Sequence, residues 1–145
     1  MVVKFDLEGL RQQFNCVNYF ETGLWDPRTD TSSKQALNCK FNKVFCIEIF
    51  EEWVKYGKEI FKDEIEKGRY NLYLDDSSKM NQYLLNDDFK EKTMFFLDAH
   101  VDNSSIKNYK YKCPLINEIK AISELDRKDN VILVDDIRII KNAFP

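Results

Sequence analysis

Short apolar runs rich in β-branched and aromatic residues recur along the chain: CVNYF (16–20), KVFCIEI (43–49), NLYL (71–74), TMFFL (93–97) and VILV (131–134). Each has the length of a strand and is nearly continuous in apolar residues. Such runs predict strands covered on both faces rather than on one. Between the later runs the spacing changes to that of a helix. In FEEWVKYGKEIFKDEIEKG, the residues Phe50, Trp53, Val54, Gly57, Ile60 and Phe61 fall on one face, and Gly68 supplies a stop. Ser77 or Ser78 is placed to cap a segment carrying Met80, Tyr83 and Leu84. CPLINEIKAISEL puts Pro114 at a first helical position, with Leu115, Ile119 and Ile122 as its stripe. A leading helix over FDLEGLRQQF turns Leu7, Leu10 and Phe14 inward.

Strand–helix alternation of this kind predicts an α/β fold with a mainly parallel sheet covered on both faces, in one domain spanning residues 1–145. Sheets of that type bind ligands beyond the carboxyl ends of their strands. The acids gain meaning from this rule. Glu21 follows the first run and Glu48 ends the second. Asp75 and Asp76 follow the third, Asp98 the fourth, and Asp135 with Asp136 the fifth. Any one of them is explained as a helix cap or as the polar end of a buried strand. Together they put a carboxylate after every strand at one edge, which makes that edge a candidate site.

Composition narrows the partners. The chain has 145 residues, 43% of them hydrophobic and 32% charged, enough for a real core under a well-solvated surface. A net charge of -3, with lysines scattered among acids, argues against nucleic acid, which needs a clustered basic surface. No apolar run approaches the roughly 18 residues that span a bilayer, and MVVKFDLEGLRQQF is not a signal peptide. The cysteines Cys16, Cys39, Cys46 and Cys113 show no C-x-x-C spacing. A cytoplasmic protein with reduced thiols is therefore expected, with no membrane and no nucleic-acid partner.

The stretch MFFLDAHVD holds the only histidine, His100, between Asp98 and Asp102. It resembles the D-A-H-x-D manganese signature of the arginase and agmatinase family. The chain lacks the second histidine and the Gly-Gly-Asp-His-type segment of that family. VILVDDI likewise resembles the first strand of receiver domains, but it stands near the end of this chain and not at its start.

A broader resemblance runs through most of the chain. NYFETG (18–23), KVFCIEIFEE (43–52), NLYLDDSS (71–78), FFLDAH (95–100), CPLINEI (113–119) and VILVDDIR (131–138) occur in order. They are similar to successive motifs of class I S-adenosylmethionine-dependent methyltransferases. The resemblance implies a three-layer Rossmann-like sandwich with strand order 3-2-1-4-5, lacking the terminal 6–7 hairpin. It implies that Glu21, Thr22 and Gly23 form the turn beside the cofactor's amino-acid portion, and that Glu48 accepts the ribose hydroxyls. Asp76, with Ser77 beside it, would meet the adenine amine. As in catechol-type enzymes of this fold, Asp98, Asp135 and Asp136 would hold Mg²⁺ or Mn²⁺, hard cations that suit oxygen ligands. Asp98 and His100 would then be catalytic, His100 as general base on a small-molecule or sugar hydroxyl.

The chain departs from that pattern after Gly23, where LWDPRTDTSSKQAL carries Pro27 and no second or third glycine. Two other readings therefore stay open. One is a Rossmann-like binding or interaction module without turnover. The other is a metal-dependent hydrolase using the same carboxylate edge. A homodimer pairing through an exposed sheet edge is a further option.

Overall fold

A computed structural model describes residues 2–99 and 113–135. Five strands form one sheet: β1 (Asn18–Thr22), β2 (Val44–Glu48), β3 (Tyr70–Leu74), β4 (Thr93–Leu97) and β5 (Val131–Val134). All pair in parallel, in the order β3-β2-β1-β4-β5. The helices are α1 (Leu7–Phe14), α2 (Ser32–Leu37), α3 (Glu51–Ile60), α4 (Lys62–Glu66), α5 (Met80–Tyr83) and α6 (Leu115–Ser123). This is a Rossmann-like α/β fold with the strand order that the sequence motifs imply.

The register places Phe20 of β1 opposite Phe45 of β2 and Phe95 of β4. The Phe20 ring lies within 5.9 Å of each of them across the strands, and Phe89 closes onto Phe45 at 4.8 Å. That aromatic core, with Ile47, Leu97, Met80, Leu84, Ala121 and Ile122, lies under α5 and α6. The opposite face packs Tyr19, Val44, Cys46, Leu72, Met94 and Phe96 against residues of α1 to α4. Every residue of β1, β2 and β4 is buried, which accounts for their continuous apolar runs.

The helices depart from the predicted stripes in instructive ways. Phe61, at φ -100 and ψ 19, breaks the expected long helix into α3 and α4, and Ile60 turns outward at 44% exposure. In α6 the inward residues are Glu118, Ala121 and Ile122, while Ile119 is 42% exposed, so the buried face is rotated from the predicted one. Phe14 points out at the end of α1. Asp76, not Ser77 or Ser78, caps the turn before α5: its Oδ1 accepts from Ser78 N at 2.9 Å. Helix α2 lies within what reads in the sequence as a loop.

The caps are sequence-encoded and testable. Asp6 caps α1 by accepting from Gly9 N at 3.0 Å, and Asn15 ends it in the left-handed region at φ 54. Asp6→Ala should cost about 1 kcal/mol by denaturant unfolding. Among the described residues no helix is long and apolar enough to cross a membrane.

Candidate functional site

The chain leaves β1 for β2 across one face of the sheet and reaches β4 from β3 across the other. The carboxyl ends of β1 and β4 therefore flank the point where the strand order reverses, the usual ligand crevice of such sheets. The two ends are stitched together. Asp98 N donates to Thr22 O at 3.1 Å and lies 3.3 Å from Thr22 Oγ1. Asp135 N donates to Leu97 O at 3.2 Å, so Asp98 and Asp135 end neighbouring strands side by side. Gly23 turns the chain at φ +86, and a Cβ there would stand 2.7 Å from the Asp98 carbonyl oxygen. Only glycine fits this turn without displacing backbone.

Glu48 sits at the tip of β2, almost fully buried. Its Oε2 accepts from Leu24 N at 2.7 Å and Trp25 N at 3.3 Å, and its Oε1 accepts from Phe50 N at 2.8 Å. Burial raises its pKa, and these backbone donors oppose the rise. The carboxylate thus fastens the loop after Gly23 to the tip of β2. While it holds these donors it cannot also accept both hydroxyls of a ribose, because a carboxylate offers about four lone-pair sites in all. Glu48 is first a clamp on this loop.

The far side of the loop is fixed differently. Arg28 donates to Asp26 at 2.8 and 2.7 Å and stands over the Tyr56 ring at 4.4 Å and the Trp53 ring at 5.7 Å. Thr31 then caps α2. Between these anchors Trp25 adopts φ 63, unusual for a bulky residue, and exposes its side chain.

Glu21 takes a different path. The alternation of β1 turns its side chain to the same face as Tyr19, into the core beneath α2. Tyr19 Oη donates to Glu21 Oε2 at 3.0 Å, Ser33 Oγ donates to Glu21 Oε1, and Ser33 Oγ lies 2.7 Å from Tyr70 Oη. Burial pushes the pKa of this carboxyl up, and the hydroxyls around it pull it back. A cofactor contact through Glu21 would have to replace that interior network. Thr22, the next residue, points to the α6 side.

There lies the residue that sequence reasoning missed. Glu118 of α6 is 1% exposed, and its Oε1 is buried without a hydrogen-bond partner among the described residues. Burial pushes its pKa up to about 7; Asp76 adds to the rise, while the Ser77 and Thr22 hydroxyls beside the carboxyl offset part of it. Neither hydroxyl reaches Oε1 in hydrogen-bond geometry. The signal was in CPLINEI, where Glu118 stands one turn after Leu115 and one turn before Ile122. An acid on the apolar stripe of a helix is rarely left buried without a role.

The structure therefore brings together Thr22, Gly23, Asp76, Ser77, Asp98, Asp135 and Glu118 around one edge, with Glu48 clamping the loop above it. His100 and Asp136 lie outside the described residues. Among the described residues no group of three or more His, Cys, Asp or Glu side chains is placed to hold a metal ion. No protein-family model matches the chain, and no curated protein matches it significantly.

Proposed function

We propose that the chain is a methyltransferase-like enzyme that uses S-adenosylmethionine to methylate a hydroxyl of a small molecule. One observation carries the reading. In a parallel sheet of order 3-2-1-4-5, the acid at the tip of β2 reaches the backbone immediately after a glycine turn at the end of β1. Gly23, Asp76 and Ser77 fit such a donor at the crevice. Glu48 fits in part, since its carboxylate already holds backbone donors. When bound, the donor supplies a sulfonium methyl that needs only in-line alignment and a nucleophilic acceptor.

The chain's own residues would supply the alignment and the proton acceptor. Gly23 lets the backbone approach the ligand closely. Glu118, half ionised near neutral pH, would accept a proton relayed from the acceptor through the Ser77 or Thr22 hydroxyl. His100 remains the other candidate base, and Asp98 its neighbour at the end of β4. Asp98 and Asp135 would offer a divalent cation two of its roughly six oxygen ligands, and Asp136 a third.

Calorimetric titration with S-adenosylhomocysteine, with and without Mg²⁺, tests the reading. Saturable binding is expected, weakened by Asp76→Ala. No heat of binding under either condition would sink it. Binding that ignores both a chelator and Asp135→Ala would retain the cofactor and remove the metal. The occupied carboxylate of Glu48 favours one alternative, a binding module of the same fold without turnover. That alternative predicts no methyl transfer to any acceptor even where the homologue of the donor binds.

A further inference from the structure

Burying a carboxyl oxygen with no donor costs free energy that folds ordinarily avoid. Glu118 incurs that cost beside the end of β1 and the turn that follows β3, where Thr22 and Ser77 flank its carboxyl. Its Oε1 is left without a hydrogen bond among the described residues. The position asks for a donor that the protein does not supply.

The charges at this spot do not balance either. Helix α6 packs against α5 and the turn before it, which carries Asp76, Ser77, Ser78 and Lys79. Lys79 is committed elsewhere: its Nζ donates to Asp75 Oδ1 at 3.1 Å, and Tyr83 Oη of α5 donates to Asp75 Oδ2 at 2.7 Å. Asp75 is thereby neutralised. Asp76 is not: its Oδ1 accepts only from the backbone N–H of Ser78, and it enters no ion pair among the described residues. Asp76 lies close enough to Glu118 to disfavour a second negative charge there. Lys120 of α6 is exposed and two residues on, so it faces away from Glu118.

A fitting ligand group therefore donates a hydrogen bond to Glu118 and brings positive charge. A neutral hydroxyl meets the first demand and leaves the second. A divalent cation needs more ligands than converge here, since no three acidic, His or Cys side chains are so placed among the described residues. An ammonium meets both demands, and charge-assisted bonds of this kind are the strong ones.

We propose that Glu118, with Asp76 beside it, is the subsite for a protonated amine of the ligand. That the amine belongs to the methyl acceptor, an amino alcohol, rests on the methyl-transfer reading above; recognition of the charge does not. Holding an ammonium lowers the basicity of Glu118, so in that complex the hydroxyl proton falls to His100, the other candidate base.

Glutamate labelled with ¹³C reports the carboxyl directly, the Glu118 signal being assigned through its bonds to the backbone. The probes are ethanolamine and 3-aminopropanol, each against its neutral counterpart, ethylene glycol and 1,3-propanediol, with Mg²⁺ as the metal control. Near neutral pH the amines should shift the Glu118 signal saturably and bring its titration midpoint below about 7, and the diols should do neither. Glu118→Gln should weaken the amines by about tenfold or more, read from backbone amide shifts. Asp76→Asn should weaken them by about threefold. Charge selectivity is read on the native chain and needs no variant to fold. The proposal is overturned if no amine moves Glu118, if the diols move it as far, if Mg²⁺ acts at lower concentration than the amines, or if amines bind Glu118→Gln unchanged. S-adenosylhomocysteine binding without an amine response would overturn this proposal and leave methyl transfer standing. An amine response without S-adenosylhomocysteine binding would do the reverse.

Discussion

Gly23→Ala should lose about 3 kcal/mol of folding stability, combining left-handed strain with overpacking. In a chain of this size that lowers the melting temperature by roughly 10 °C. The methyl group would meet Asp98 O at 2.7 Å, Asp98 C at 3.1 Å and Ala99 Cα at 3.3 Å, all of them backbone. No side chain can swing aside to relieve the contact. Gly68 is the internal control: it has φ +73, and a Cβ added there would meet nothing within 4 Å. Gly68→Ala therefore carries the conformational term alone, about 1 kcal/mol. If the two alanine variants melt together, the close approach of the β1 turn to the end of β4 is wrong. Loss of ligand binding should accompany Gly23→Ala and not Gly68→Ala.

Glu118→Leu should stabilise the fold above neutral pH, where most buried substitutions destabilise. The sign follows from the proton count. The unfolded carboxyl titrates near 4.5 and the folded one near 7. Between these values the unfolded chain has released a proton that the folded chain keeps, so native stability falls as pH rises through that window. The total is about 3 kcal/mol, reached above pH 7 and absent below pH 4.5. Leucine removes the titration and the orphaned oxygen together. Urea unfolding at pH 4.5 and pH 8 should show the variant gaining on the native chain only at the higher value, by about 2–3 kcal/mol. A variant weaker at both pH values would make Glu118 a structural residue with a hydrogen-bonding role. A stabilised variant that no longer binds ligand would show the trade expected of a functional site.

The central strands β1, β2 and β4 were legible because burial on both faces writes itself as uninterrupted apolar runs. The edge strands β3 and β5 are apolar but only partly covered, and β1 runs two residues past its apolar run, through Glu21 and Thr22. Helical faces were less legible. Ile119 and Glu118 are adjacent, and a rotation of one residue decides which of them is buried; hydrophobicity alone chooses the isoleucine. The break at Phe61 also has no proline or glycine to announce it. Within the site, the acids that end strands could be placed on one edge, but their directions could not. Glu21 belongs to the interior because strand alternation groups it with Tyr19, and its partners Ser33 and Tyr70 come from distant parts of the chain. Glu48 reads as an open acceptor until the loop that folds back onto it is seen. Non-local hydrogen bonds of this kind leave no local trace.

The loop from Gly23 to Thr31 lacks the glycines that would make it supple, and its fixings explain why it does not need them. Its ordering is completed when the domain folds: Glu48 secures the start, Arg28 the middle and Thr31 the end. A ligand arriving at this rim meets a surface whose conformational entropy has already been given up. Little of the binding free energy is then diverted into immobilising protein, and even a small, weakly contacting molecule keeps most of what its contacts provide.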